Sequence, residues 1–319
     1  MDNGNVFLHH LFLVVGLTIV AVEIFAAFLG NGFIVAVNFF DWLKKKPLNP
    51  VDHLLVVLAL SNAGFSCIYG NFIFFYFTWP QFFLEECALP VIITLMFFIT
   101  LSSSFLIAWL CLYFCFKIIH FKSSFLAKVK MSIDSAVVWL ILISEVIAFF
   151  CTIPVIWFLG RPLPQNVTSV QIASGMLSFT LDNLFIYFVA GPIMFLTSLI
   201  IITSLMYIIW SLRRHTYRMK KILSPEDDSM LKTHRSAAKT ILSLLLIYIL
   251  FCTSLIMNSS FQPSDDVLIY FWWLTLWLLL SVSPAFSVVL IFGNSKLRLA
   301  LQKVCSLITG LFHKDLIQG

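Results

Sequence analysis

Residues 88–118 read ALPVIITLMFFITLSSSFLIAWLCLYFCFKI, an apolar run in which Lys117 is the only charged residue. A bilayer core of about 30 Å needs roughly 20 such residues in a helix, and lipid offers no partner to an unpaired backbone group. The run therefore predicts a membrane-spanning helix. Six more segments meet the same criterion, and the seven predicted spans lie near residues 11–40, 52–77, 88–118, 133–159, 182–212, 236–257 and 267–292.

The composition also indicates a membrane protein. Of the 319 residues, 61% are hydrophobic and 11% are charged, whereas soluble domains carry about 25% charged residues. A β-barrel is not indicated, because its strands would give short alternating patterns instead of long apolar runs. The first run is too long for a signal peptide and follows no basic segment, so it predicts a retained helix. We expect residues 1–319 to form one all-α membrane domain.

Basic residues are divided unevenly between the two sides of the predicted bundle. Nineteen of the 20 Lys and Arg residues fall in every second connection or in the tail, and the other side receives only Arg161. Because basic residues near helix ends resist translocation, the basic side is expected to be cytoplasmic and the N-terminus extracellular. The net charge of +5 does not indicate nucleic-acid binding, because it lies in these connections.

Several site chemistries find no support in the sequence. Cys87 is the one cysteine expected on the outer side, and the outer connection at 160–181 contains no cysteine to pair with it, so no disulfide is expected. The His and Cys spacings fit no metal site, and the spans contain no HExxH motif or paired aspartates. We predict neither an enzyme nor a cofactor. Of two sequons, Asn166 is expected to be glycosylated in the outer connection, while Asn258 lies close to a helix end.

Polar residues inside the spans need a partner or a function. Glu23 lies about 18 Å into the first span at 1.5 Å per residue, and two interpretations remain open: a structural acid facing another helix, which we favour, or a contact that sets a receptor state. Asn31 stands between Gly30 and Gly32. Glycines allow close helix approach, so Asn31 is expected to bridge neighbouring helices by hydrogen bonds.

Three further features each allow two interpretations. Lys117 is either a helix end that extends towards the headgroups or a switch residue for a cytoplasmic partner. Trp272, Trp273 and Trp277 form either an aromatic belt at the membrane boundary or a ligand contact. A third group recurs on one face of the third span and either lines an outer cavity or packs against other helices; it consists of Met96, Thr100 and Ser103.

The chain resembles the bitter taste receptor family (taste receptors, type 2) over nearly its whole length. The segments that carry the resemblance are, in chain order, Glu23; Gly30-Asn31-Gly32-Phe33-Ile34-Val35; Val37-Asn38; Asp41-Trp42; Val51-Asp52; Leu58-Ala59-Leu60-Ser61; Tyr113-Phe114-Cys115-Phe116-Lys117-Ile118; Ser211-Leu212; His215; Met219; Pro225; His234; Ala237; Lys239; Ser287; Leu290-Ile291; and Gly293-Asn294-Ser295-Lys296-Leu297-Arg298. The resemblance implies a seven-transmembrane bundle of the G-protein-coupled receptor type in the plasma membrane.

The resemblance also implies partners and a site. A small organic agonist is expected in an outer cavity between the third, fifth, sixth and seventh helices, with a heterotrimeric G protein of the gustducin/Gi type on the inner side. The candidate ligand residues are Met96, Thr100, Ser103, Phe185, Tyr187, Phe188, Tyr248, Trp273 and Leu276. The candidate G-protein and switch residues are Lys117, Arg213, Arg214, His215 and Lys239. The candidate residues of a polar network between helices are Glu23, Asn31, Asn62 and Ser287.

Two positions depart from the family pattern. Asn62 stands where the family usually has Arg, and Phe286 stands where it usually has His before Ser287. Three alternative functions remain: a vomeronasal pheromone-type receptor, a small-solute transporter or channel, and a structural scaffold. The absence of a visible internal repeat argues against the transporter. The segment around Asn31 together with Gly293–Leu297 favours the bitter receptor family over the vomeronasal one.

Overall fold

The computed structural model of the chain describes residues 3–84, 88–118, 124–159, 191–222, 228–260 and 266–318. Within these ranges the regular structure is helical. The helices are α1 (Asn3–Leu43), α2 (Pro50–Thr78), a short 3₁₀ helix (Pro80–Leu84), α3 (Ala88–Ile118), α4 (Ser124–Leu159), α5 (Gly191–Ile222), α6 (Asp228–Ser260), α7 (Asp266–Gly293) and α8 (Ser295–Gln318).

Most of these helices are long and apolar enough to cross a membrane. Among the described residues, six stretches qualify by length and composition: Leu11–Leu43, Pro50–Thr78, Ala88–Phe116, Ser132–Ile156, Gly191–Ser211 and Tyr270–Gly293. A shorter apolar stretch, Leu242–Met257, lies within α6. The chain is therefore a multi-pass helical membrane protein, and the apolar stretch of α6 coincides with the sixth predicted span.

The helix ends differ from the predicted span ends. α5 continues to Ile222 and α6 begins at Asp228, so most of the polar connection predicted at 213–235 is helical. The reason is physical: apolar length fixes only the part of a helix that lipid surrounds, while Arg, Lys and Met are good helix formers outside it. The predicted fifth span began at residue 182, and its portion 182–190 lies outside the described residues. The sequence interpretation also omitted α8.

α3 stands at the centre of the bundle and packs against α2, α4 and α5. α7 packs against α6, α1 and α2, while α5 also contacts α6. One continuous core of buried apolar side chains connects these helices, and Ile34, Leu58, Leu106 and Phe286 are among its members. The bundle therefore places α3, α5, α6 and α7 around a common interior, which is where the sequence interpretation expected the agonist.

α1 and α7 approach each other closely at two glycines. At Gly30, an added Cβ would overlap Ser287 Oγ, and at Gly16 it would lie 2.9 Å from the ring of Trp273. In each contact the two residues are 257 positions apart in the sequence. Because this separation is the same in both contacts, the two helices run parallel and in register. The glycines are needed here because side chains of α7 occupy the space where a methyl group would lie.

Candidate functional site

Trp273 is buried within an aromatic cluster where α1, α2 and α7 meet. Its side chain is 1% exposed and stacks on Phe77 with 5.0 Å between ring centroids. Phe12 of α1 meets the ring of Trp273 edge-on at 6.4 Å, and Trp272 contacts it at 5.6 Å. A belt residue faces the membrane boundary, so the belt interpretation does not hold for Trp273. Its burial keeps it in the bundle interior with Leu276.

Tyr248 joins α6 to α5 inside the same core. Its hydroxyl lies 2.9 Å from Ser198 Oγ, whose own proton is donated to the carbonyl oxygen of Met194. Tyr248 is therefore the donor in this bond. The side chain is 1% exposed and packs near Phe251. A buried tyrosine with a satisfied hydroxyl couples the positions of the two helices, and its contact with a ligand stays a prediction.

Two of the three candidates on α3, Thr100 and Ser103, lie where this helix meets α2. Thr100 Oγ1 donates to the carbonyl oxygen of Met96 at 2.7 Å and lies 3.1 Å from the hydroxyl of Tyr69. Ser103 Oγ lies 2.8 Å from Ser61 Oγ. These contacts give Thr100 and Ser103 a packing role between helices, and their contact with a ligand stays a prediction. The remaining candidates on the predicted outer side lie outside the described residues: Cys87, Asn166, Phe185, Tyr187 and Phe188.

A polar bridge connects α1, α7 and α2 in the interior. Asn31 Nδ2 donates to Ser283 Oγ at 3.2 Å, and Ser283 Oγ donates to the backbone carbonyl of Asn62 at 2.9 Å. The bond expected from Asn31 to a neighbouring helix is thus made to α7. Ser287 instead donates to the carbonyl of Pro284 within its own helix, so the bridge passes through Ser283, which the sequence interpretation did not name.

Several polar atoms beside this bridge have no hydrogen-bond partner among the described residues. They are Asn31 Oδ1, Asn62 Nδ2, Ser66 Oγ and, about two turns earlier on α1, Glu23 Oε2. Buried polar groups are normally paired, so this part of the interior is incompletely satisfied. The two departures from the family pattern lie close by in sequence: Asn62 is buried, and Phe286 adds an apolar ring that is 1% exposed. Whether Glu23 is a structural acid or a state-setting contact stays open.

At the end of the bundle where α1 ends and α2 begins, Lys296 of α8 binds three acceptors from other helices. Its Nζ lies 2.7 Å from Asn38 Oδ1, 3.1 Å from Asp41 Oδ2 and 3.1 Å from Asp52 Oδ2. An ammonium group has three protons to donate, so this arrangement satisfies it fully. Asp52 also accepts the backbone N–H of Asn49 and caps α2. We call these residues, without Asn49, the Lys296 cluster.

The candidate switch residues lie on helices that are neighbours in the bundle. Arg213 and Arg214 are exposed on α5, and Lys239 is exposed on α6. The guanidinium of Arg214 lies 5.3 Å from the ring centroid of Trp210, a cation–π contact that holds it beside α5. Lys117 and His215 lie within α3 and α5, but their side chains are outside the described set. The G-protein role of all five stays a prediction.

A second polar chain crosses α2, α3 and α4. Ser61 Oγ lies within hydrogen-bond distance of Ser103 and, at 3.3 Å, of Ser102 Oγ. Ser102 Oγ donates in turn to Glu145 Oε1 of α4 at 2.8 Å. The sequence interpretation did not name Glu145. An acidic residue inside the predicted span 133–159 is unusual enough to mark it as a candidate. These hydrogen bonds connect α4 to α3 and α2 at the centre of the bundle.

A cavity of about 290 Å³ lies between α2, α3 and α4. Apolar side chains form most of its wall, including Leu54, Trp109, Phe116 and Val137. None of the candidate ligand residues lines this cavity. Over the described residues, no group of three or more His, Cys, Asp or Glu side chains could hold a metal ion.

Comparison with known proteins gives one consistent result. The family model described as "Taste receptor protein (TAS2R)" matches residues 8–309. Taste receptor type 2 member 7 of Macaca mulatta is 28% identical over 313 residues, covering 92% of this chain and 91% of its own length. Taste receptor type 2 member 41 of Rattus norvegicus is 28% identical over 301 residues, covering 90% and 94%. Taste receptor type 2 member 40 of Gallus gallus is 28% identical over 253 residues, covering 77% and 81%.

Proposed function

Because the chain belongs to the taste receptor family TAS2R, we propose that it is a G-protein-coupled receptor that senses small bitter organic molecules at the plasma membrane. The observation that carries this proposal is the extent of the match, since residues 8–309 include all seven apolar stretches and the first part of α8. A match to one or two helices would support only a shared fold, whereas this one includes the residues on both sides of the bundle.

The agonist site is proposed for the interior shared by α3, α5, α6 and α7. Tyr248 and Leu276 are buried in the core with apolar and aromatic neighbours, and Trp273 belongs to the same core at the junction of α7 with α1 and α2. Aromatic walls with a few polar groups suit flat, amphipathic molecules. Met96 and the candidates on the outer side, Phe185, Tyr187 and Phe188, complete the proposed wall.

The proposed switch is a change in the packing of α3, α5 and α6 at the basic end of the bundle. An agonist favours the arrangement to which it binds more tightly, and the size of the shift is set by its difference in affinity between the two states. Opening would expose a basic, partly apolar cleft formed by the five candidate switch residues, Lys117, Arg213, Arg214, His215 and Lys239. A C-terminal helix of a G-protein α-subunit of the gustducin/Gi type would dock there.

Replacement of Lys117 tests the switch. In cells that display matched amounts of receptor, Lys117→Ala is expected to lower the maximal agonist-driven calcium response, because a cationic contact to the G protein is removed. Lys303→Ala is the control, since this lysine is exposed on α8 and lies outside the proposed cleft. An equal response from the parent chain and Lys117→Ala would remove Lys117 from the mechanism.

A panel of bitter compounds tests the sensory role itself. Cells that express the chain with a promiscuous G-protein α-subunit are expected to respond to at least one compound, while cells without the chain stay silent. Antibody access to N- and C-terminal tags on intact cells tests the orientation at the same time. A receptor that reaches the surface and answers none of the panel, or that exposes only its C-terminal tag, would contradict the proposal.

A further inference from the structure

Three side chains on one face of α5 point away from the interior of the bundle. Tyr207 and Trp210 are 44% and 53% exposed, and Arg214 is exposed as well. Spacings of three and four residues place the three side chains next to one another on the helix surface. The buried residues Ile201 and Ile208 lie on the other side of α5. We call Tyr207, Trp210 and Arg214 the α5 row.

The α5 row crosses the end of the apolar part of its helix. The stretch that is apolar enough to cross a membrane ends at Ser211, so the two aromatic rings lie on its apolar side and Arg214 lies beyond it. Tyr207 and Arg214 are about 10 Å apart along the helix axis at 1.5 Å per residue. The row thus extends from the ends of the lipid tails into the layer of headgroups.

The contacts within the row fix the position of the guanidinium group. The rings of Tyr207 and Trp210 stack with 5.7 Å between their centroids and 26° between their planes. The guanidinium carbon of Arg214 lies over the Trp210 ring, 5.3 Å from its centroid. A guanidinium that stacks through its face keeps the N–H groups of its edge for other partners. Arg214 forms no ion pair with another described residue, so this edge is open to an anion from outside the bundle.

The charge of α5 favours an acidic partner. Between Gly191 and Ile222 the sequence contains five Lys and Arg residues and no Asp or Glu. Basic residues just outside a span attract acidic phospholipids. The planar edge of a guanidinium also binds two oxygens of one phosphate at the same time. The α5 row therefore matches an acidic phospholipid in charge, in geometry and in its position at the membrane boundary.

We propose that the α5 row binds an acidic phospholipid, with the phosphate on the guanidinium edge of Arg214 and an acyl chain along the rings of Trp210 and Tyr207. A free phosphate ion would use only the first of these contacts and would leave the two exposed rings uncovered. The proposal goes beyond the proposed receptor function. It does not depend on the proposed G-protein cleft, because Arg214 stands on the lipid side of α5 in this structure.

The first test titrates the purified full-length chain in detergent micelles with phosphatidic acid and counts bound lipids by native mass spectrometry. Arg214→Gln is expected to raise the dissociation constant of the first bound lipid about tenfold. Arg213→Gln is the matched control, because it removes the same charge from an exposed neighbour that lies about 100° around the helix. At most a change of about threefold is expected there.

Equal losses from Arg213→Gln and Arg214→Gln would reveal a general attraction between charges and would overturn the proposal. A parent chain that binds phosphatidylcholine as tightly as phosphatidic acid would overturn it too. Both arginines are exposed, so neither change removes a core contact, and monodisperse elution verifies that each variant is folded.

The second test separates the ring from the charge and the lipid from its phosphate. Trp210→Leu keeps every arginine and is expected to weaken phosphatidic acid binding about threefold, whereas Trp210→Phe keeps an aromatic face and should stay within about twofold of the parent chain. Millimolar inorganic phosphate is expected to leave the bound lipid in place. Binding that Trp210→Leu does not weaken, or displacement of the lipid by inorganic phosphate, would contradict the proposed site.

Discussion

Loss of the Lys296 ammonium group should destabilise the basic end of the bundle more than its position on α8, outside the predicted spans, suggests. Lys296→Met keeps most of the apolar stem and leaves Asp52, which is 4% exposed, and Asn38, which is 1% exposed, without their shared donor. Removing one partner of a buried ion pair costs about 3–5 kcal/mol. The Lys296 side chain is 28% exposed, so water screens part of the interaction. We expect a loss of about 2–3 kcal/mol.

The measurement is the thermal midpoint of the purified receptor in lipid nanodiscs. At about 2–4 °C per kcal/mol, Lys296→Met is expected to lower the midpoint by roughly 5–10 °C. Lys303→Met is the matched control, because this lysine is exposed on the same helix and should shift the midpoint by less than about 1 °C.

A double-mutant comparison separates the Lys296 cluster from a general effect on α8. In the Asp52→Asn background, Lys296→Met is expected to cost about half as much as in the parent chain or less, because the buried carboxylate is already gone. Equal midpoint shifts in both backgrounds would refute the reasoning. So would a fall from Lys303→Met as large as that from Lys296→Met.

The close approach of α1 and α7 predicts that Gly30→Ala destabilises the receptor by about 1–3 kcal/mol. Gly32→Ala, where an added Cβ meets nothing within 4 Å, should leave the thermal midpoint unchanged or higher, and equal losses would contradict the packing argument. Tyr248→Phe removes the proton donated to Ser198 and should raise the half-maximal concentration of a responding agonist about fivefold. Tyr207→Phe, at a side chain that is 44% exposed, should leave this concentration unchanged. Equal shifts from the two variants would remove the Tyr248 hydroxyl from the proposed site.

The spans were predictable because lipid imposes a simple rule on apolar length. Residues 88–118 were predicted as one span and form one helix, α3. The helix ends near Ile222 and Asp228 were not predictable in the same way, because outside lipid a polar sequence that favours helix simply continues as helix. α8 was missed for the same reason, since no span rule applies to an amphipathic helix.

The contacts of the site were harder to predict than its residues. Asp52 and Lys296 each belong to a quoted motif, yet their pairing joins positions 244 residues apart and depends on how three helices pack. Asn31 was recognised because a polar residue between two glycines is unusual in a span. Ser283, its partner, resembles many other serines in the sequence. The depth and type of each polar residue could thus be predicted from the sequence. Its hydrogen-bond partners could be identified only from the packing of the helices.

The pairing of α1 with α7 has a consequence for biosynthesis. A ribosome delivers α1 to the membrane long before α7, since Ser283 lies 252 positions after Asn31 in the sequence. During that interval lipid or helper proteins must accommodate the amide of Asn31, because its interhelical acceptor has not yet been made. Insertion of α7 therefore completes the surroundings of α1 as well, and these two helices reach their mature packing only after α7 has been made.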